Sequence, residues 1–328
     1  MRAVRLHGFG SPAELRYEET DDPEPGPGQV RIAVRAAGVH LVDAVIRRGC
    51  AKSLPLPELP VVPGSEVSGV VDTVGPGVPD SWLGERVVTQ LGLASGGYAE
   101  LAVREVGALH VVPEGLGFDA AVTMICTGST AVGVLVAAAL EPDDVVLVTA
   151  AAGAVGNLLV QGASRAGAHV VGVAGCAEKR KTVLRSGASV AVDYRRADWA
   201  DEVRSALGGR EVSVVLDGVG GAHGRGAVEL LAPGGRVVMF GSSSGEPTEL
   251  STADLFERGL SATVAVGPHV AKRAGGLRAL ESRALADAAS GRFTPVVQRF
   301  PLSSAAEAHE ALENRCTVGK VVLVPDAG

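Results

Sequence analysis

Val145-Val146-Leu147-Val148-Thr149-Ala150-Ala151-Ala152-Gly153-Ala154-Val155-Gly156-Asn157 reads as a buried strand, a tight turn of small residues and the start of a helix. Five of its first six residues are apolar and valine predominates, which suits a parallel strand covered on both faces. The amphipathic run from Val155 to Ala166 follows the turn. A helix N-terminus presents unpaired N–H groups and the positive end of the helix dipole, so it can hold a diphosphate. Bulky side chains must be absent where a diphosphate approaches, and Ala151, Ala152, Gly153 and Gly156 meet that need. The match to G-x-G-x-x-G is incomplete, because Ala151 stands where the first glycine would be. A tight connection with no ligand in any α/β protein has the same look, so the rest of the chain must decide.

The neighbouring sequence repeats the pattern. From Phe118 to Phe240 the periodicity alternates between helix and strand. A helix over Phe118–Leu140 leads into the strand 145–150 and the helix 155–166. The strand His169–Val173, the helix Ala177–Ser186 and the strand Val190–Asp193 come next. The helix Asp198–Leu207, the strand Val212–Asp217, the helix Ala222–Leu231 and the strand Arg236–Phe240 complete the series. Strands separated by helices at this spacing predict a doubly wound parallel sheet, the fold in which the opening turn binds a dinucleotide.

Upstream the signal is different. Val30-Arg31-Ile32-Ala33-Val34-Arg35-Ala36 alternates with period two, and Val67–Val74, Arg86–Gln90 and Tyr98–Val103 read as further short strands between Gly and Pro turns. Asp21 to Gly28 is a rigid polar turn. This part predicts an irregular β barrel. Downstream, a helix at Leu277–Ser290, a strand, a helix at Ser304–Leu312 and the strand Lys320–Val324 form a tail too small to stand alone. The expected organisation is therefore a β-rich domain over residues 1–118, the dinucleotide-binding domain over 119–264, and a segment over 265–328 that rejoins the first.

Composition narrows the possibilities. The chain has 328 residues, is 46% hydrophobic and only 3% aromatic, and carries a net charge of -7. An acidic chain without clustered aromatics argues against a nucleic-acid partner. The longest apolar run, Thr130–Leu140, is too short to span a bilayer, and the N-terminus lacks a signal-peptide core. Cys50, Cys126, Cys176 and Cys316 form no paired motif and read as reduced thiols. The expected location is cytoplasmic, without a membrane partner.

The end of the second strand distinguishes NAD from NADP. A carboxylate there would accept hydrogen bonds from the ribose hydroxyls. Val171-Gly172-Val173-Ala174-Gly175-Cys176 offers none, and Glu178-Lys179-Arg180-Lys181 brings three cations one turn later. Cations without the acid favour the 2′-phosphate of NADPH. The same four residues also read as a solvated helix start.

Several motifs together are similar to one family. They are Gly38-Val39-His40-Leu41-Val42-Asp43, Pro63-Gly64-Ser65-Glu66-Val67-Ser68-Gly69-Val70-Val71, the 151–156 turn with Gln161, Leu216-Asp217-Gly218-Val219-Gly220-Gly221, Phe240-Gly241-Ser242-Ser243-Ser244-Gly245 and Arg315-Cys316-Thr317-Val318-Gly319-Lys320-Val321-Val322-Leu323. Over nearly its whole length the chain resembles the zinc-free quinone oxidoreductase (zeta-crystallin-like) branch of the medium-chain dehydrogenase/reductase superfamily.

The resemblance implies a GroES-like catalytic domain beside the Rossmann domain, with NADPH in the cleft between them. It also implies hydride transfer to a quinone or an α,β-unsaturated carbonyl such as an enone or enal. By matching positions it implies that Gly153, Ala154, Val155 and Gly156 meet the diphosphate and that Gly175, Lys179 and Tyr194 surround the adenosine phosphate. Thr130 lies near the nicotinamide, and Gly218, Phe240, Gly241, Ser242 and Arg315 complete the cofactor contacts. His40, Asp43 and Thr130 are the candidate catalytic residues.

Zinc members of the superfamily carry a Cys within 38–43 and a His before Glu66. Here His40 and Ser65 occupy those stretches, and Leu93 to Tyr98 runs on without the four-cysteine lobe, so no metal is expected. His40 replaces an Asn usual in the branch. It would supply a hydrogen bond or proton to a developing oxyanion, being a residue type that changes charge near neutral pH; it reads equally as a tolerated polar residue. Asp43 would orient His40 or hold the loop. Val45 stands where related reductases often have Tyr, which leaves substrate choice open. An enoyl-thioester or polyketide-type reductase and a non-catalytic NADPH-binding protein are the alternatives. Members of the branch pair cofactor-domain edge strands into homodimers, and Leu260–Val266 is the matching apolar run.

Overall fold

The computed structural model describes residues 1–51, 55–92 and 96–326. Residues 93–95, part of the segment read as lacking a zinc lobe, lie outside it. The chain divides into two compact units, one of residues 1–126, 285–290 and 295–328, the other of 127–284 and 291–294.

In the first unit, strands β1 (Arg2–Leu6) and β2 (Leu15–Glu19) form an antiparallel pair. They are followed by β3 (Gln29–Val39), β4 (Glu66–Val74), β5 (Arg86–Gln90), β6 (Leu101–Glu105) and β7 (His110–Val111). The strand read at 98–103 starts later, because Tyr98 and Ala99 bond to β1 as an isolated bridge instead of entering the main sheet. β3 behaves as its alternation predicts as far as Arg35, with Val30, Ile32 and Val34 inward, and is buried at every position from Ala36 to Val39.

The second unit holds β8 (Val145–Val148), β9 (His169–Ala174), β10 (Val190–Asp193), β11 (Val212–Asp217), β12 (Leu231–Met239) and β13 (Ser261–Val264). All are parallel, in the order β10-β9-β8-β11-β12-β13. The direction of strand succession reverses between β8 and β11, the point at which doubly wound sheets bind ligands. The expected helices lie between the strands. One differs: Gly221–Glu229 ends earlier than periodicity suggests, because β12 begins at Leu231.

The last strands, β14 (Val297–Pro301) and β15 (Lys320–Val324), return to the first unit and extend its sheet to the order β14-β15-β3-β4-β5-β7, with β6 also on β3. The helical stretch Phe118–Ala138 is longer than the apolar run at 130–140, since a helix at Phe118–Thr123 and a π turn at Met124–Gly128 lead into Ser129–Ala138. By length and composition it could cross a membrane, but 67% of its most apolar 18-residue window is buried within the protein.

Candidate functional site

Within the second unit, most of the expected cofactor residues fall at the carboxyl ends of neighbouring strands. β8 ends in the turn 149–153, and the helix Ala154–Arg165 begins there, with no side chain among the described residues capping its N-terminus. Its first N–H groups are therefore available to an anion. A Cβ on Gly156 would lie 2.3 Å from the Ala150 carbonyl oxygen. Only glycine allows the helix to pack this close to the strand end. The backbone turns at Ala150, whose φ of 47° is left-handed.

Beside it, β11 ends in Asp217, fully buried. Its carboxylate accepts from the Thr149 hydroxyl at 2.7 Å, the Val219 N–H at 3.0 Å, the Gly220 N–H at 3.2 Å and the Thr248 hydroxyl. The Thr149 oxygen in turn accepts from the Gly218 N–H at 3.0 Å. One carboxylate thus fixes the turns after β8 and β11 against each other. Gly218 makes room for Phe240, whose ring would lie 2.4 Å from a Cβ there, and Gly241 and Ser242 follow at the end of β12. Sequence reading assigned no role to Asp217 or Thr149; a lone acid closing an apolar strand was the available signal.

At the other side, Gly175 follows β9 and Tyr194 follows β10. A Cβ on Gly175 would meet the Tyr194 ring at 3.4 Å and Arg195 at 3.7 Å. Asp193 holds Arg195 through two bonds of 2.9 and 2.8 Å and Arg180 at 2.6 Å. The Arg195 guanidinium above all keeps that carboxyl far below the usual range. Lys179 lies one turn into the adjacent helix, and its N–H lowers the Cys176 thiol. Two guanidiniums, Arg180 and Arg195, thus share the single Asp193 carboxylate. Arg180 and Arg195 were not among the expected contacts. Thr130 occupies the second position of the helix Ser129–Ala138 in this unit, whereas Arg315, exposed and left-handed at φ 55°, belongs to the first.

In the first unit, register gathers three residues. Val321 pairs with Val39, and Ala37 with Val67, which sets Lys320 beside His40 and Glu66 beside Gly38. Glu66 and Lys320 are buried. Lys320 Nζ is 2.6 Å from Glu66 Oε1 and 2.9 Å from His40 Nε2, and His40 Nε2 is 2.8 Å from Glu66 Oε1. Burial pushes the Glu66 carboxyl up, but Lys320 and then His40 outweigh it and leave it below its ordinary value. Gly38 is required here, since a Cβ would fall 1.9 Å from Glu66 Oε1. Cys126 offers a sulfur to the same group: one ligand atom each from His40, Glu66 and Cys126 lies within 4.8 Å of the others.

Asp43 holds the backbone of His40 at the start of the helix Leu41–Arg47. Its carboxylate accepts from the His40 backbone N–H at 2.8 Å and from the Tyr98 hydroxyl at 2.9 Å, and burial raises its pKa. Because the Tyr98 proton goes to Asp43, the 3.1 Å contact between Tyr98 and His309 Nε2 makes His309 the donor. Burial keeps His309 neutral, and its buried Nδ1 has no partner among the described residues.

A doubly wound parallel sheet whose strand ends converge on an uncapped glycine turn is a dinucleotide-binding dehydrogenase fold. Residues 26–114 match the alcohol dehydrogenase GroES-like domain family, and residues 154–280 the zinc-binding dehydrogenase family. A 2-haloacrylate reductase from Burkholderia sp is 34% identical, covering 99% of each chain. The quinone oxidoreductase of Sus scrofa is 32% identical over 99% of this chain and 98% of that one. The crystal structure of Escherichia coli quinone oxidoreductase complexed with NADPH superposes with a TM-score of 0.85 at 30% identity, covering 99% of this chain and 100% of that one. The chain belongs to the medium-chain dehydrogenase/reductase superfamily, in its quinone oxidoreductase branch, and is an oxidoreductase.

Proposed function

We propose that this protein reduces a conjugated acceptor, a quinone or an α,β-unsaturated carbonyl, at the expense of NADPH and without a metal. The convergence of uncapped N–H groups, Gly156 and the Asp217-braced turns at the sheet's switch point is the observation that carries the cofactor part. The residues fit the group: Gly156 leaves no Cβ in the turn, and the N–H groups of Ala154 and Val155 would hold a diphosphate. Lys179, Arg180 and Arg195 suit a 2′-phosphate, since a dianion gains most from multiple cationic donors. Gly175 and Tyr194 flank that corner, and Thr130, Gly218, Phe240, Gly241, Ser242 and Arg315 remain the proposed contacts toward the nicotinamide half.

When bound, NADPH supplies a hydride. The protein's part is to position the acceptor and stabilise the oxygen on which charge collects. His40 is the proposed donor toward that oxygen, with Lys320 and Glu66 fixing its ring and Asp43 fixing its backbone. The relatives favour the conjugated-acceptor class: a 2-haloacrylate and a quinone both carry a double bond conjugated to a carbonyl. We assign the first unit to the acceptor and the second to the cofactor.

Zinc does not fit the residues present. Ser65 offers no imidazole, and the His40, Glu66 and Cys126 group has an ammonium within 3 Å of two of its members.

Mixing the purified protein with NADPH, or with NADH, and a panel of quinones, enals and enoyl thioesters tests this reading by absorbance loss. Turnover with quinones or enals and a preference for NADPH are expected. Turnover confined to enoyl thioesters would move the substrate class, and tight NADPH binding without turnover on any acceptor would refute the enzyme reading. We further propose a homodimer joined along β13, the last strand of the parallel sheet, where Val264 is 47% exposed. Light scattering at the mass of one chain would overturn that.

A further inference from the structure

We infer that the Lys320 ammonium is a built-in cation lodged in a latent transition-metal site formed by His40, Glu66 and Cys126, and that its presence is what keeps metal out. The inference rests on the zinc-free reading above and gives that reading a physical cause.

The donor set is one a borderline metal accepts: an imidazole nitrogen, a carboxylate oxygen and a thiol sulfur. Their ligand atoms lie within 4.8 Å of one another, and Glu66 is fully buried. Among the described residues, its second oxygen, Oε2, has no hydrogen-bond partner. A buried carboxylate with an unpartnered oxygen, beside an imidazole and a thiol, would be a strong attractor for a divalent cation. What sits there instead is Lys320. Its Nζ touches Glu66 Oε1 at 2.6 Å and His40 Nε2 at 2.9 Å, and only 2% of the residue is exposed. A single positive charge thus balances the single negative charge of Glu66. A dication bound by the same atoms would have to sit against that ammonium, and two cations at contact in a buried site repel strongly.

Two features of the sequence make the arrangement deliberate in chemical terms. Gly38 leaves the space that the Glu66 carboxylate fills, as the 1.9 Å approach to a hypothetical Cβ shows. Gly319, at φ 68°, immediately precedes Lys320 at the head of β15, and a Cβ there would strike the Val296 carbonyl at 2.1 Å. Lysine is the residue that reaches this position as a compact point charge.

The test compares the full-length wild type with Lys320→Ala and Lys320→Gln, the latter keeping an amide donor for Glu66 should the alanine variant fail to fold. Each is dialysed against Co²⁺, freed of unbound ion, and examined for bound metal and for a thiolate-to-cobalt charge-transfer band. The wild type and Lys320→Arg are expected to hold none. A folded neutral variant is expected to bind about one Co²⁺ per chain, with a band that Cys126→Ser abolishes. A folded neutral variant that binds no Co²⁺ overturns the inference and leaves the zinc-free reading standing. A wild type purified with stoichiometric metal overturns the zinc-free reading itself. A wild type that shows the Cys126-dependent band on Co²⁺ addition overturns the claim that Lys320 excludes metal.

Discussion

Gly156 shows how one residue's reason for being there differs between sequence and structure. Its place in the small-residue turn suggests room for a diphosphate. The geometry shows a harder constraint, a Cβ at 2.3 Å from the Ala150 carbonyl, which forces the helix off the strand. Gly156→Ala should therefore cost stability, about 1–3 kcal/mol by analogy with overpacked cores, as well as NADPH affinity. Thermal melts and a binding titration read the two effects separately. His309 provides a second residue-scale expectation. Burial holds its imidazole down at about 3, from an ordinary 6.5. Between those values the unfolded chain takes up a proton that the folded chain refuses. The stability that neutral His309 contributes is complete above pH 6.5 and is lost as pH falls through that window, at up to about 1.4 kcal/mol per pH unit. His309→Gln should melt lower than the wild type at pH 8 yet lose less between pH 7 and pH 4.5; equal slopes would count against the assignment.

At the scale of elements, the ends of β8 to β12 were the most legible part of the chain. Valine-rich runs closed by Gly, Asp or small residues are strong signals because a doubly covered strand tolerates little else. The corner at β9 and β10 was only half legible. Lys179 stands in an obvious cation run, but Arg195 enters through Asp193, which clamps it with two bonds while also holding Arg180. That pairing depends on β10 lying beside β9, which no local pattern states. Arg195→Ala should weaken NADPH binding about tenfold, the loss of roughly one charge-assisted contact, and leave NADH binding unchanged. Fluorescence titration with both nucleotides checks this, and an equal loss for both would show that Arg195 does not read the 2′-phosphate.

At the scale of the molecule, the periodicity changes near residue 118, whereas the two compact units divide at 126/127 and residues 265–284 belong to the unit of the parallel sheet. What sequence did not disclose was the meeting of its separate motifs. His40, Glu66 and Lys320 belong to three of the stretches that carry the family resemblance, and His40 and Lys320 are 280 positions apart. They meet because β15 pairs with β3 and β3 with β4, long-range pairings without a local signature. Single charges at the head of apolar strands, Glu66 before β4's valines and Lys320 before those of β15, were the only hint. The same pairings tie the account together, since they set the proposed donor, His40, against a fixed charge pair. The most direct measurement is transfer from NADPH deuterated at both C4 positions to an accepted enone or enal. The account predicts reduced product carrying one deuterium at the β-carbon. Reduced product without that deuterium would contradict direct hydride delivery.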